Sequence, residues 1–154
     1  MSDVLKVFFF GDSICWGQGV SPHAGWVGRI SARLDLVGLE IGHPVLVANA
    51  GVNGNTTRLG LERMHHDVLS HGCDVLLVQF GMNDCNYWRT DSGVPRVSPR
   101  AFAANLHEIF DRARASGVRR LFLNTNHPSA RYSAMPPTAV RYQDSNAAYN
   151  ELAR

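Results

Sequence analysis

The sequence predicts an α/β fold built on a parallel sheet, and two observations carry that expectation. Four short apolar runs recur along the chain, at Val4–Phe10, Pro44–Ala48, Val75–Phe80 and Arg120–Asn124. The middle two are nearly continuous in apolar character, as strands buried on both faces are. Segments of helical periodicity with recognisable ends separate them, giving the order β-α-β-α-β-α-β-α. Such alternation implies right-handed crossovers and helices on both sides of the sheet.

Each element has its own local reason. The first run, Val-Leu-Lys-Val-Phe-Phe-Phe, is rich in aromatic and β-branched residues and ends at Gly11. Ser21-Pro22 offers a cap and a first-turn proline to a helix over Ala24–Leu36. After the second run, a helix over Arg58–His71 turns Leu61, Met64, Val68 and Leu69 inward and stops at Gly72. The third run leads into a long irregular segment, Asp84–Val97, of the kind that is functional or mobile in a small domain. Ser98-Pro99 then starts a helix over Arg100–Ser116, with Phe102, Leu106, Ile109, Phe110 and Ala113 on one face and Gly117 as its stop. A last helix runs from about Thr138 to the end, after Pro136-Pro137.

Composition narrows the function classes. With 154 residues, 45% hydrophobic and 18% charged, the chain reads as one globular domain over 1–154 rather than a two-domain enzyme or a disordered chain. A formal charge of +2 points to no nucleic-acid or membrane partner. Cys15, Cys73 and Cys85 have no metal-ligand spacing and read as free thiols of a reducing compartment. Met1-Ser2-Asp3 carries an acid rather than a basic leader, and Val4–Phe10 is too short to span a bilayer. A cytoplasmic location is the expectation, with no metal and no cofactor.

In an open α/β sheet the crevice beyond the strand carboxyl ends is where ligands bind. The four predicted strands are followed by Gly11-Asp12-Ser13, by Asn49-Ala50-Gly51-Val52-Asn53-Gly54, by Gly81-Met82-Asn83-Asp84 and by Thr125-Asn126-His127-Pro128. These loops bring a hydroxyl, a glycine-rich backbone, a carboxamide and an imidazole to one edge. A serine at a strand-to-helix turn has free backbone N–H groups beside it. Glycine at 51 admits close backbone approach, and the Asn83 amide donates from a third side. Three donors around one hydroxyl suit acyl transfer.

Phe10-Gly11-Asp12-Ser13, Asn49-Ala50-Gly51 and Gly81-Met82-Asn83-Asp84 resemble three sequence blocks of the GDSL, or SGNH, hydrolases, in order and each beyond a predicted strand. The resemblance covers essentially the whole chain. It implies a flavodoxin-like α/β/α sandwich and hydrolysis of acyl esters, such as short-chain, aryl or carbohydrate-bound esters, through an acyl-serine. It assigns Ser13 as nucleophile, the Ser13 and Gly51 N–H groups and the Asn83 side chain as oxyanion donors, and Asp12 and Asp84 as anchors of their loops.

The fourth block of that family, D-x-x-H after a fifth strand, does not occur here. No Asp is followed three positions later by His. The expectation is a truncated enzyme with little activity, four strands present and the fifth missing. The exposed edge of strand four would then be open to self-association.

His127 alone among seven histidines follows a strand end and reads as a cleft residue rather than a replacement base. Trp16, Asn53, Tyr87 and Trp88 are further cleft candidates, the aromatics as walls of an acyl or aryl pocket. Cys15 reads as a packing residue whose thiol a helix N-terminus would acidify. His71 reads as a partner of a helix dipole. Arg89, Arg96 and Arg100 flank the long loop as a solvated face. Two other readings use the same framework: a flavodoxin-like domain binding a small molecule such as a flavin, and a catalytically dead interaction module.

Overall fold

The computed structural model describes residues 4–154, so Met1-Ser2-Asp3 lie outside the described residues. Its strands are β1 (Leu5–Gly11), β2 (Val45–Gly51), β3 (Val75–Gln79) and β4 (Arg120–Leu123). They pair in the order β2-β1-β3-β4, all parallel. Helices α1 (Ser13–Trp16), α2 (Trp26–Ile41), α3 (Thr57–Asp67), α4 (Pro99–Ala115) and α5 (Tyr142–Leu152) fill the crossovers and the C-terminal end.

Alternation along β1 divides the core. Phe8 and Phe10 face α3, α4 and α5, where they meet Met64, Val78, Phe102, Ile109 and Tyr149. Val7 and Phe9 face α2 and pack with Cys15 and Val27. The period-two pleat makes one strand serve two cores. β1 sits centrally, paired on both edges, which puts the turn after Gly11 at the middle of the sheet's carboxyl edge.

Several element ends differ from the sequence expectation. β2 continues three residues past Ala48, because Asn49 folds its carboxamide back onto local backbone: Nδ2 donates to the Cys15 carbonyl at 3.0 Å and Oδ1 accepts the Gly51 N–H at 3.0 Å. α2 starts at Trp26, after Ser21 has closed a turn by accepting the Ala24 and Gly25 N–H groups. It runs on to Ile41, since Gly38 continues the helix and leaves room for the His43 carbonyl, which a Cβ would meet at 2.7 Å. α3 ends at Asp67, and a 3-10 turn over Leu69–His71 follows. α5 begins at Tyr142 rather than near Thr138. α4 matches its predicted core face, with Phe102, Leu106, Ile109 and Ala113 buried, and Ser98 caps it through the Ala101 N–H at 3.3 Å.

Among the described residues no strand lies beyond β4, where Phe122 is 54% exposed. No helix of the described residues is long and apolar enough to cross a membrane.

Candidate active site

Ser13 is the first residue of α1, a single helical turn that Asp12 caps by accepting the Ile14 N–H at 2.9 Å. Gly17 ends it with φ of 84°, a left-handed conformation that favours glycine. This tight strand-turn-helix places the Ser13 hydroxyl at the carboxyl edge of β1. The Ser13 N–H has no hydrogen-bond partner among the described residues, as the first N–H of a helix should not. Ser13 Oγ likewise has no hydrogen-bond partner among the described residues.

Ser13 opens into a cleft of about 610 Å³. Asn83 and His127 line it with Ser13, as expected from the strand-end positions, together with Met82, Arg131 and Tyr142. Tyr142 donates its hydroxyl proton to the Met82 carbonyl at 2.7 Å, and the Arg131 guanidinium lies 5.3 Å over its ring. His127 is held through its backbone: Asn146 Nδ2 donates to the His127 carbonyl at 3.0 Å. A carboxamide chain continues from the neighbouring residue, with Asn126 bonded to Gln79 at 2.6 Å and to Asn150 at 2.8 Å.

Other cleft candidates lie elsewhere. Trp16 faces a separate hollow against Pro22, Val27 and Val47. Tyr87 forms an antiparallel bridge to Pro95, and the Trp88 ring carries the Arg96 guanidinium at 4.2 Å. These contacts fold the Asp84–Val97 segment on itself, so its aromatics brace the loop instead of lining the cleft. Asn53 sits exposed in the turn after β2.

Asn83 donates from Nδ2 to the Asn55 carbonyl at 2.9 Å and approaches Asp12 Oδ2 at 3.4 Å. The carboxamide is thereby fixed in the cleft that Ser13 also lines. Gly51 is differently placed from the loop donor the sequence suggests. It is a strand residue, its N–H is taken by Asn49, and a Cβ there would meet the Trp16 backbone nitrogen at 2.4 Å. Its lack of a side chain serves the packing of α1 on β2. Gly54, three residues on, is exposed with φ of 76°, and its N–H has no hydrogen-bond partner among the described residues.

The two aspartates are buried. Burial lifts the Asp12 carboxyl to about 6, with the Asp84 charge adding to the effect and the Ile14 N–H opposing it. Asp84 accepts the Thr57 N–H at 2.9 Å and the Thr57 hydroxyl at 2.6 Å, tying the loop after β3 to the start of α3. Burial also pushes its carboxyl above the usual range. Cys15 is fully buried, and its thiol is pushed up to about 12 by desolvation, the reverse of the acidification a helix N-terminus would give. His71 stacks on Phe8, with ring centroids 5.9 Å apart, rather than closing a long helix.

A family model described as the GDSL-like lipase/acylhydrolase family matches residues 9–154. The chain belongs to that family. Among curated GDSL-like relatives, an arylesterase of Vibrio mimicus is 27% identical over 84% of this chain and 60% of its own length. Esterase TesA of Pseudomonas aeruginosa is 28% identical over 77% of this chain and 53% of its own. The chain thus spans a little over half the length of the curated relatives it matches. Among solved structures, a lipase/acylhydrolase from Enterococcus faecalis superposes with a TM-score of 0.66 at 26% identity, covering 97% of this chain and 69% of the other. An acetylxylan esterase from Geobacillus stearothermophilus gives a TM-score of 0.76 at 21% identity, covering 99% and 71%, and shares the fold.

Proposed function

We propose that these residues form the nucleophile-bearing part of a serine carboxylic ester hydrolase. Ser13 Oγ adds to the ester carbonyl as its proton passes to solvent, the bond to the alcohol oxygen breaks as that oxygen takes up a proton, and water then adds to the acyl-serine, releasing the free acid and restoring the serine hydroxyl. The Ser13 N–H and Asn83 Nδ2 donate to the developing oxyanion, and the Gly54 N–H takes the role the sequence suggested for Gly51. The observation that carries this reading is the pairing of an uncommitted Ser13 hydroxyl and N–H with an anchored Asn83 carboxamide in one cleft. The names of the curated relatives, an arylesterase and an esterase, support esters, aryl esters among them, as substrates.

Ser13 Oγ has no imidazole bonded to it among the described residues, so the 154 residues alone turn over activated esters slowly. A fluorophosphonate ester probe with intact-mass and peptide mapping tests the assignment. Labelling confined to the Ser13 peptide supports it; labelling elsewhere, or none at millimolar probe, contradicts it. A second reading rests on Phe122, half exposed on the outer edge of β4: self-association through that edge. Sedimentation of the parent and Phe122→Lys would separate a dimer that depends on this edge from a monomer.

A further inference from the structure

Arg63 projects from α3, outside the cleft, with its side chain 16% exposed. Its guanidinium makes four hydrogen bonds to three separate segments. Nη2 donates to the Gly11 carbonyl at 2.9 Å, Nη1 to the Ala50 carbonyl at 2.8 Å and to Asp67 Oδ2 at 2.8 Å, and Nε to Asn55 Oδ1 at 2.7 Å. The same group lies 4.6 Å over the Phe10 ring. Gly11 is two residues before Ser13. Ala50 is the next-to-last residue of β2, the strand that leads to Gly54. Asn55 follows Gly54, and its carbonyl is the acceptor that holds the Asn83 amide at 2.9 Å.

We infer that Arg63 is a positioning residue for the oxyanion hole, one cation fixing the backbone behind all three donors. The inference rests on the proposed Ser13 reading. A carbonyl oxygen has two lone pairs, so strand-end carbonyls that already accept a backbone N–H, as Gly11 does from Val52 at 3.0 Å, still take a second donor. A planar, always-charged guanidinium satisfies several of them at fixed mutual angles; a lysine ammonium, a point charge on a flexible stem, cannot span them. Asp67 balances the charge from the far side. The arrangement sets donor spacing without touching substrate, so its loss falls on the transition state more than on binding.

The test compares the parent, Arg63→Lys, Arg63→Gln and Asn55→Ala, each with a melting curve, using p-nitrophenyl acetate. Steady-state p-nitrophenolate release gives kcat and KM. Arg63→Gln is expected to lower kcat by about 30-fold, as for a misplaced donor, with KM within about threefold. Arg63→Lys should restore little of the rate, and Asn55→Ala should show a smaller loss of the same type at near-parent stability. In an Asn83→Ala background the Arg63→Gln effect should shrink to about twofold, because both act on one hole. Folded Arg63→Gln with parent kcat, or full rescue by lysine, would overturn the inference, as would equal Arg63→Gln losses with and without Asn83. If Arg63→Gln does not fold, Asn55→Ala decides: parent kcat there overturns it. Ser13→Ala and Asn83→Ala alone report on the underlying reading. If neither lowers the rate, that reading fails; if both do and Arg63→Gln does not, only the role of Arg63 fails.

Discussion

The Asp12 carboxylate and the Asn83 carboxamide meet at 3.4 Å behind the turn that carries Ser13. One aspartate thus serves two neighbours, accepting the Ile14 N–H that caps α1 and facing the amide proposed to hold the oxyanion. Burial sets its price, raising its carboxyl from 3.8 to about 6.

That shift predicts a pH trend in stability. An acid whose folded pKa is raised holds a proton that the unfolded chain has already released. Stability from this group is therefore greatest below 3.8, falls as pH rises toward about 6, and is fully lost above it. Asp84, raised in the same direction, adds to the trend. Asp12→Asn keeps an acceptor for Ile14 but cannot ionise. The melting temperature of the variant relative to the parent should climb between about pH 4 and about pH 7. A difference independent of pH would show that Asp12 is ionised without penalty.

Removing the Asn83 amide should cost catalysis far more than folding. Asn83→Ala is expected to lower kcat for p-nitrophenyl acetate by about 100-fold, the usual effect of one missing oxyanion donor. Among the described residues the side chain makes one short hydrogen bond, to the Asn55 carbonyl at 2.9 Å, so urea denaturation should show a loss of about 1 kcal/mol. A loss of stability of about 4 kcal/mol with unchanged kcat would make Asn83 a structural residue.

Gly51 and Gly54 should separate cleanly. A Cβ at Gly51 meets the Trp16 nitrogen at 2.4 Å and the Cys15 carbonyl carbon at 2.9 Å, both backbone atoms that cannot give way. Gly51→Ala should therefore destabilise by about 3 kcal/mol or more. At Gly54 nothing lies within 4 Å of a Cβ, and the penalty is the left-handed backbone with φ of 76°, about 1 kcal/mol. Comparable melting temperatures for the two variants would contradict the packing role given to Gly51.

Gly81 carries both penalties at once. Its φ is 129°, and a Cβ there would lie 2.5 Å from the Asn126 amide nitrogen that bonds the Phe80 carbonyl. Gly81→Ala should lose about 3 kcal/mol and loosen the Asn126 anchor next to His127. Thermal melting at parent values would show that the Asn126 network is not needed to hold that loop.

Much of this site was readable in advance because its parts are local. Ser13 and Asn83 follow apolar runs directly, and a residue just beyond a strand in a parallel sheet is bound to reach the carboxyl edge. The β2 loop misled for an equally local reason. Asn49 accepts the N–H of Gly51 two residues on, and so consumes the very N–H that looked free. Sequence spacing shows the glycines but not which N–H is spent. The cleft walls were beyond reach altogether. Tyr142 meets Met82 across 60 positions of chain, and Arg63 meets Gly11 across 52. Such contacts belong to the packing of α3 and α5 against the sheet, and no periodicity encodes them. Trp16 and Trp88 looked like pocket residues because aromatics near a cleft often are. Backbone direction at α1 and the Arg96 contact turn them away.

Ser13 is proposed as the nucleophile because its hydroxyl is uncommitted in the cleft it shares with Asn83. The most direct measurement is the steady-state hydrolysis of p-nitrophenyl acetate by the purified parent and by Ser13→Ala, both shown folded by circular dichroism. The account predicts slow but measurable turnover by the parent, an acetyl adduct on the Ser13 peptide during turnover, and a rate for Ser13→Ala indistinguishable from buffer. Equal rates for the two proteins, with no adduct at Ser13, would contradict it.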